Sequence, residues 1–242
     1  MSSAILKLQK KVISWPEDEE PKSISARISK AYGSVNYVGL IDGTLFPLAF
    51  APMLNQEDYF TRKGNYAVKG LIFCNDTAKI TWVEMGWPSS VHNNRVWSNS
   101  HVYLSKEKYF NNREYLLGDL AFSASSVLVT AFKNSNMRED QSYFTTKLSK
   151  VWIKSKHCLG LLKAWFQCFQ GPRWVIPSKW DLDVILQMTM CACILHNLLI
   201  NHVIPQDWMD NSMELEEDKE LDHHGEMGNR WDQLLAYLME IL

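Results

Sequence analysis

The sequence predicts a mixed α/β domain, and three observations lead there. Short β-rich segments lie in the first half of the chain, long segments of helical period in the second, and no internal repeat spans them. The chain has 242 residues, 46% of them hydrophobic and 12% aromatic, enough to bury a substantial core and too apolar for a disordered chain. No apolar run reaches the ~18–20 residues of a membrane span. The N-terminus places Lys7, Lys10 and Lys11 after a short apolar patch, the reverse of a secretory signal, so an intracellular protein is expected. Five cysteines, at 74, 158, 168, 191 and 193, read as free buried thiols.

The elements follow in order. Residues 5–13 read as the last turns of a helix, ended by Ser14-Trp-Pro-Glu-Asp-Glu-Glu-Pro21, whose prolines favour extended backbone. Residues 23–31 form one more short helix. Tyr37-Val-Gly-Leu-Ile-Asp42 is an apolar strand ending in a carboxylate. Tyr66-Ala-Val-Lys-Gly-Leu-Ile-Phe-Cys74 and Lys79-Ile-Thr-Trp-Val-Glu-Met85 form an antiparallel hairpin across the turn signal Asn75-Asp76-Thr77. Residues 93–104 read as helix. Tyr115-Leu-Leu-Gly-Asp119 is a second apolar strand ending in a carboxylate, and Val127-Leu-Val-Thr-Ala-Phe132 a further strand. Residues 141–170 and 180–200 are long helices, the second with Asp181 in its first turn. Residues 214–222 are acidic, and 231–242 carry the pattern of a terminal amphipathic helix.

Net charge is −2, but it is unevenly spread. Residues 1–202 hold 23 Lys and Arg against 16 Asp and Glu; residues 203–242 hold 2 against 11. A basic body with an acidic tail permits a polyanionic partner without demanding one.

Asp42 and Asp119 carry the most chemistry. Each ends an apolar run and each has a glycine neighbour, Gly43 and Gly118. A strand-end aspartate reads either as a turn cap or as a functional carboxylate. Two on neighbouring strands would make a hard-oxygen site for Mg²⁺ or Mn²⁺, the donor set of metal-assisted phosphodiester cleavage.

Six segments resemble the DDE endonuclease domain of Harbinger-type transposases and of the nucleases derived from them. They are Gly39-Leu-Ile-Asp-Gly-Thr-Leu45, Tyr59-Phe-Thr-Arg-Lys-Gly-Asn-Tyr66, Gly86-Trp-Pro-Ser-Ser-Val-His-Asn-Asn-Arg-Val-Trp97, Tyr115-Leu-Leu-Gly-Asp-Leu-Ala-Phe122, Gly160-Leu-Leu-Lys-Ala-Trp-Phe166 and Cys193-Ile-Leu-His-Asn197. The resemblance runs in family order from about residue 14 to 200. It implies an RNase H-like mixed sheet flanked by helices, with a helical C-terminal part. It also implies metal-ligating, catalytic roles for Asp42 and Asp119 on adjacent strands. The family's third carboxylate, a Glu four residues before the glycine of the fifth segment, falls on Lys156. That is a charge reversal, expected to repel a divalent ion, to pair with Asp42 or Asp119, and to impair catalysis. Two further departures are Asn93, where the family often has Asp, and Leu120, where it commonly has Ser. Glu139 and Asp140 lie too far along the helix to substitute; His157 is an alternative ligand only one residue away, and Asp181 and Asp183 lie on a later element.

From the resemblance, residues 1–35 are expected as a helix and linker left from a missing DNA-binding module, 36–202 as the endonuclease-like domain, and 203–242 as the acidic tail. DNA, a Myb-like DNA-binding partner protein and a nuclear location are implied, with no membrane. The alternative is a domesticated, non-catalytic DNA- or protein-binding scaffold. Arg62, Lys63, Lys147, Lys150, Lys154 and Lys163 are candidate phosphate contacts, Lys69 a neighbouring one; the 147/150/154 stripe reads equally as a solvated helix face. Cys191-Ala-Cys193 with His196 fits no zinc spacing and reads as core. His92 reads as a helix-start residue, His223 and His224 as exposed tail, and the ten tryptophans as core.

Overall fold

The computed structural model describes residues 2–32, 36–111, 113–132, 138–169 and 179–200. Two short helices open the chain, α1 (Ser2–Leu6) and α2 (Gln9–Val12), where the sequence suggested one, and α3 (Glu20–Tyr32) follows. Pro21 is the second residue of α3. Its missing N–H is one of the first-turn donors that find no intrahelical partner anyway, so it starts the helix and does not break it.

Five strands form one sheet: β1 (Tyr37–Leu48), β2 (Tyr66–Cys74), β3 (Ile80–Pro88), β4 (Tyr115–Gly118) and β5 (Leu128–Val129). Their order is β3-β2-β1-β4-β5. The first three are antiparallel, and β1-β4 and β4-β5 are parallel. The predicted β2–β3 hairpin is present. Asn75 Oδ1 organises its turn, accepting from the backbone N–H groups of Thr77 and Lys79, each at 3.0 Å.

One expectation is corrected. The first strand does not end at Asp42. It runs six residues further, with Asp42 paired to Ile72 and Leu48 to Tyr66. Gly43-Thr44 looked like a terminus, but Phe46 and Leu48 keep burying the same sheet face as Leu40. Pro47 is accommodated because β4 has already stopped at Gly118, leaving β1 an edge there.

Between β3 and β4 lie α4 (Asn93–Ser98), α5 (His101–Leu104) and α6 (Lys106–Tyr109). The single helix expected over 93–104 is split because Ser100 caps α5, its Oγ accepting from Tyr103 N–H at 3.2 Å. The 27-residue α7 (Glu139–Trp165) stops five residues short of the expected end and gives way to a 3₁₀ turn at Gln167–Phe169; α8 (Lys179–Leu199) matches its prediction closely.

Strand alternation divides the core. Leu40, Phe46, Ile72 and Cys74 face a layer containing α3, α7 and α8, where Val151, Cys158, Leu162 and Cys193 pack. Val38, Ile41, Leu71 and Phe73 face the other way, onto Trp15, Trp97 and Val102. The expectation that no apolar run reaches membrane-span length is corrected: by length and composition, Leu182–Leu199 of α8 is apolar enough to cross a membrane, with a mean hydropathy of 1.6, although Asp183 falls within it. Its inner face, with Ile185, Thr189, Cys193 and His196, is buried in the domain. The acidic 203–242 segment and the predicted 231–242 helix lie outside the described residues, as do His223, His224, Trp174, Trp208 and Trp231.

Candidate metal and phosphodiester site

β1 and β4 run side by side, with Ile41 opposite Gly118. One step further stand Asp42, still on β1, and Asp119, the first residue after β4. Alternation sets Asp42 on the face covered by α7, because Leu40 two residues earlier packs with that layer. Gly118 is needed where it stands: a Cβ there would meet Leu128, Phe122 and Ile41 at 3.1–3.3 Å.

Asp42 is 2% exposed. Its Oδ2 has no hydrogen-bond partner. Lys156 Nζ, from the middle of α7, lies 3.5 Å from that oxygen. A well-formed ammonium–carboxylate hydrogen bond is nearer 2.7–2.9 Å, so the contact neutralises charge without saturating the oxygen. Burial pushes the Asp42 carboxyl up to about 6; Lys156 pulls it down, and Asp119 adds to the rise. Lys156 reached this place as the sequence indicated, in the position where the family resemblance puts an acid.

Lys156 also rests on the indole of Trp152, its Nζ 4.5 Å from the ring centroid. Sequence reading missed this residue. The available signal was its spacing, four residues earlier on the same helix. On the opposite side of the strand, the Asn93 side chain covers Gly43 so closely that a Cβ there would come within 2.5 Å of Asn93 Nδ2. Asn93, noted only as a departure from the family pattern, therefore fixes the backbone next to Asp42.

The other candidates are placed differently. His157 is exposed, and among the described residues no group of three or more His, Cys, Asp or Glu side chains is arranged to hold a metal ion. Lys147, Lys150 and Lys154 lie roughly 120–180° round α7 from Lys156, at about 100° per residue, whereas Lys163 lies within about 20° of it, two turns on. Arg62 and Lys63 sit in the exposed turn before β2. Lys69 is buried in the sheet at 6% exposure, not on a surface open to phosphate. His92 caps α4, its Nδ1 accepting from Asn94 N–H at 3.2 Å. Cys191 and Cys193 are buried core.

His196 and Asn197 are structural. His196 Nε2–H donates to the Ala78 carbonyl at 2.9 Å, and burial depresses its basicity to about 4, keeping the ring neutral. Asn197 Oδ1 accepts from Ile80 N–H at 2.8 Å, while its Nδ2 donates to the Ile80 and Val12 carbonyls at 2.7 and 3.0 Å. The pair clips α8 to the start of β3 and to α2.

A 3-2-1-4-5 sheet with three antiparallel and two parallel strands, helices on both faces and aspartates on β1 and just past the end of its parallel neighbour β4 defines an RNase H-like, nuclease-type domain. Comparison with known proteins sharpens the class: residues 41–197 match the DDE superfamily endonuclease family, and the chain belongs to it, as a transposase-derived, nuclease-like protein. Curated relatives include the protein named "Putative nuclease HARBI1" of Xenopus laevis, 23% identical over 92% of this chain and 63% of its own length. The human protein of that name is 22% identical over 99% of this chain and 68% of its own length. "Protein ALP1-like" of Arabidopsis thaliana is 24% identical over 78% of this chain and 48% of its own length. The chain thus spans between about half and two thirds of these relatives. No solved structure matches it.

Proposed function

We propose that the protein holds a divalent metal ion, Mg²⁺ or Mn²⁺, between Asp42 and Asp119 and engages DNA phosphodiesters there, in the nucleus, with cleavage impaired by Lys156. The observation that carries this reading is the buried Asp42 Oδ2 left without a hydrogen bond beside Asp119. A native fold rarely leaves a buried carboxylate oxygen unsatisfied unless something else uses it. Divalent-metal use is general in the DDE endonuclease superfamily, and two hard carboxylate oxygens suit such an ion, which keeps several waters as its other ligands. When bound, it supplies Lewis-acid polarisation of a phosphoryl oxygen and activation of water.

The chain's own residues then divide the work. Asp42 and Asp119 supply the anchoring oxygens, and Gly43, locked under Asn93, fixes the direction of the Asp42 side chain. Lys156 adds a positive charge where the family resemblance calls for a third acid, and this lowers turnover. Lys163, on the same side of α7, steers phosphates toward the site; Arg62, Lys63 and the Lys147, Lys150 and Lys154 flank contact more distant backbone.

Nicking of supercoiled plasmid in Mn²⁺ tests the reading. Wild type is expected to nick slowly, Lys156→Glu at least about tenfold faster, and Asp42→Ala not at all. Efficient wild-type cleavage that survives Asp42→Ala overturns the site.

The second reading is a non-catalytic scaffold for DNA or a Myb-like partner protein. It is favoured by the Lys156–Asp42 contact, which stabilises the pocket without any ion. DNA binding that persists without any Mg²⁺- or Mn²⁺-dependent rise in melting temperature would select it.

A further inference from the structure

We infer that Lys156 is a built-in counterion that exchanges with one divalent cation at Asp42, so that the chain folds without metal and takes a single ion. The inference rests on the reading of Asp42 and Asp119 as the ligands and adds stoichiometry and competition to it.

The first ground is the state of Asp42. A buried carboxylate cannot stand uncompensated, because desolvating its charge is too costly. Lys156 Nζ provides the compensation from 3.5 Å, too far to saturate an oxygen that has no hydrogen bond. The ammonium is therefore near enough to neutralise and loose enough to be displaced.

The second ground is where Lys156 goes. Its side chain is 26% exposed and its Nζ is already 4.5 Å from the centre of the Trp152 ring. A rotation about its outer torsions moves Nζ off the carboxylate while the ring keeps it company, so leaving Asp42 does not strand a second desolvated charge.

The third ground is ligand number. Asp42 and Asp119 offer two carboxylates, which suit one ion that keeps several waters as its other ligands. Among the described residues no group of three or more His, Cys, Asp or Glu side chains is arranged to hold a second ion beside it.

Mn²⁺ binding by the full chain, followed by electron paramagnetic resonance of the free ion, reads the stoichiometry; melting with and without Mn²⁺ reads the coupling. Asp42→Asn subtracts ions held elsewhere, such as by the acidic 214–222 stretch. Wild type is expected to bind one Asp42-dependent ion. Lys156→Gln and Lys156→Met should each bind one about tenfold tighter, melt lower than wild type without metal, and recover on adding Mn²⁺. The two variants guard against a folding defect particular to either. Two Asp42-dependent ions in wild type, or one ion bound no tighter by either variant, overturns the inference and leaves Asp42 a ligand. Absence of Asp42-dependent binding in all three proteins overturns the underlying metal reading itself.

Discussion

Two buried polar clusters in this molecule look alike in sequence and behave differently. At the clip, His196 and Asn197 lie in the last turn of an apolar helix; at the site, Asp42 interrupts an apolar strand. Asn197 uses both ends of its amide on backbone groups of Ile80 and Val12, and His196 Nε2 bonds to Ala78. His196 Nδ1 is unpartnered, but it belongs to a neutral ring and strands no charge. Asp42 has a charge to place and an oxygen with no hydrogen bond. The lesson is that burial of a polar residue does not mark function. An ionisable group whose bonding capacity the fold leaves open does so far better.

The contrast can be broken at either end. The largest effect is expected at the clip. Asn197→Ala removes three hydrogen bonds and leaves the Ile80 N–H and carbonyl unmet, a loss of about 2–4 kcal/mol readable in urea unfolding. A loss below about 1 kcal/mol would show that the clip is dispensable.

Next comes pH. Asp42 is raised when folded, so the native state binds the extra proton and stability falls as pH rises from about 4 to about 6. His196 is depressed when folded, so the unfolded state binds the extra proton and stability rises with pH from about 4 to about 6.5. The two slopes oppose each other in wild type. Asp42→Asn removes the falling one, so its stability relative to wild type should grow by about 2–3 kcal/mol between pH 4 and 6. A constant difference across that range would mean that Asp42 does not titrate there.

The smallest effect tests the strand backbone. Gly43→Ala pushes a methyl group into Asn93 and should cost about 1–2 kcal/mol, mostly regained in Gly43→Ala with Asn93→Gly. Equal losses in the single and double variants would contradict the close contact.

Much of this was legible from the residues. Alternation and turn chemistry placed the β2–β3 hairpin, and the apolar runs before Asp42 and Asp119 marked β1 and its neighbour β4, with Asp42 within the first and Asp119 just past the second. What was illegible depended on contacts that only the folded backbone makes. Gly43-Thr44 looks like a strand terminus until β2 is seen to keep pairing through Leu48. Ser100 sits inside a helix-like pattern, and only its bond to Tyr103 N–H reveals it as a cap. The family pattern located Lys156, but its support on Trp152 and its 3.5 Å approach to Asp42 required the fold.

The most direct measurement is a Mg²⁺ titration followed by amide chemical shifts. Shifts at Ile41, Asp42, Gly43, Gly118 and Asp119, together with movement at Lys156 and with Ile80 and Asn197 unchanged, are the predicted result. A titration that leaves the residues around Asp42 and Asp119 unmoved at millimolar Mg²⁺ would contradict the account.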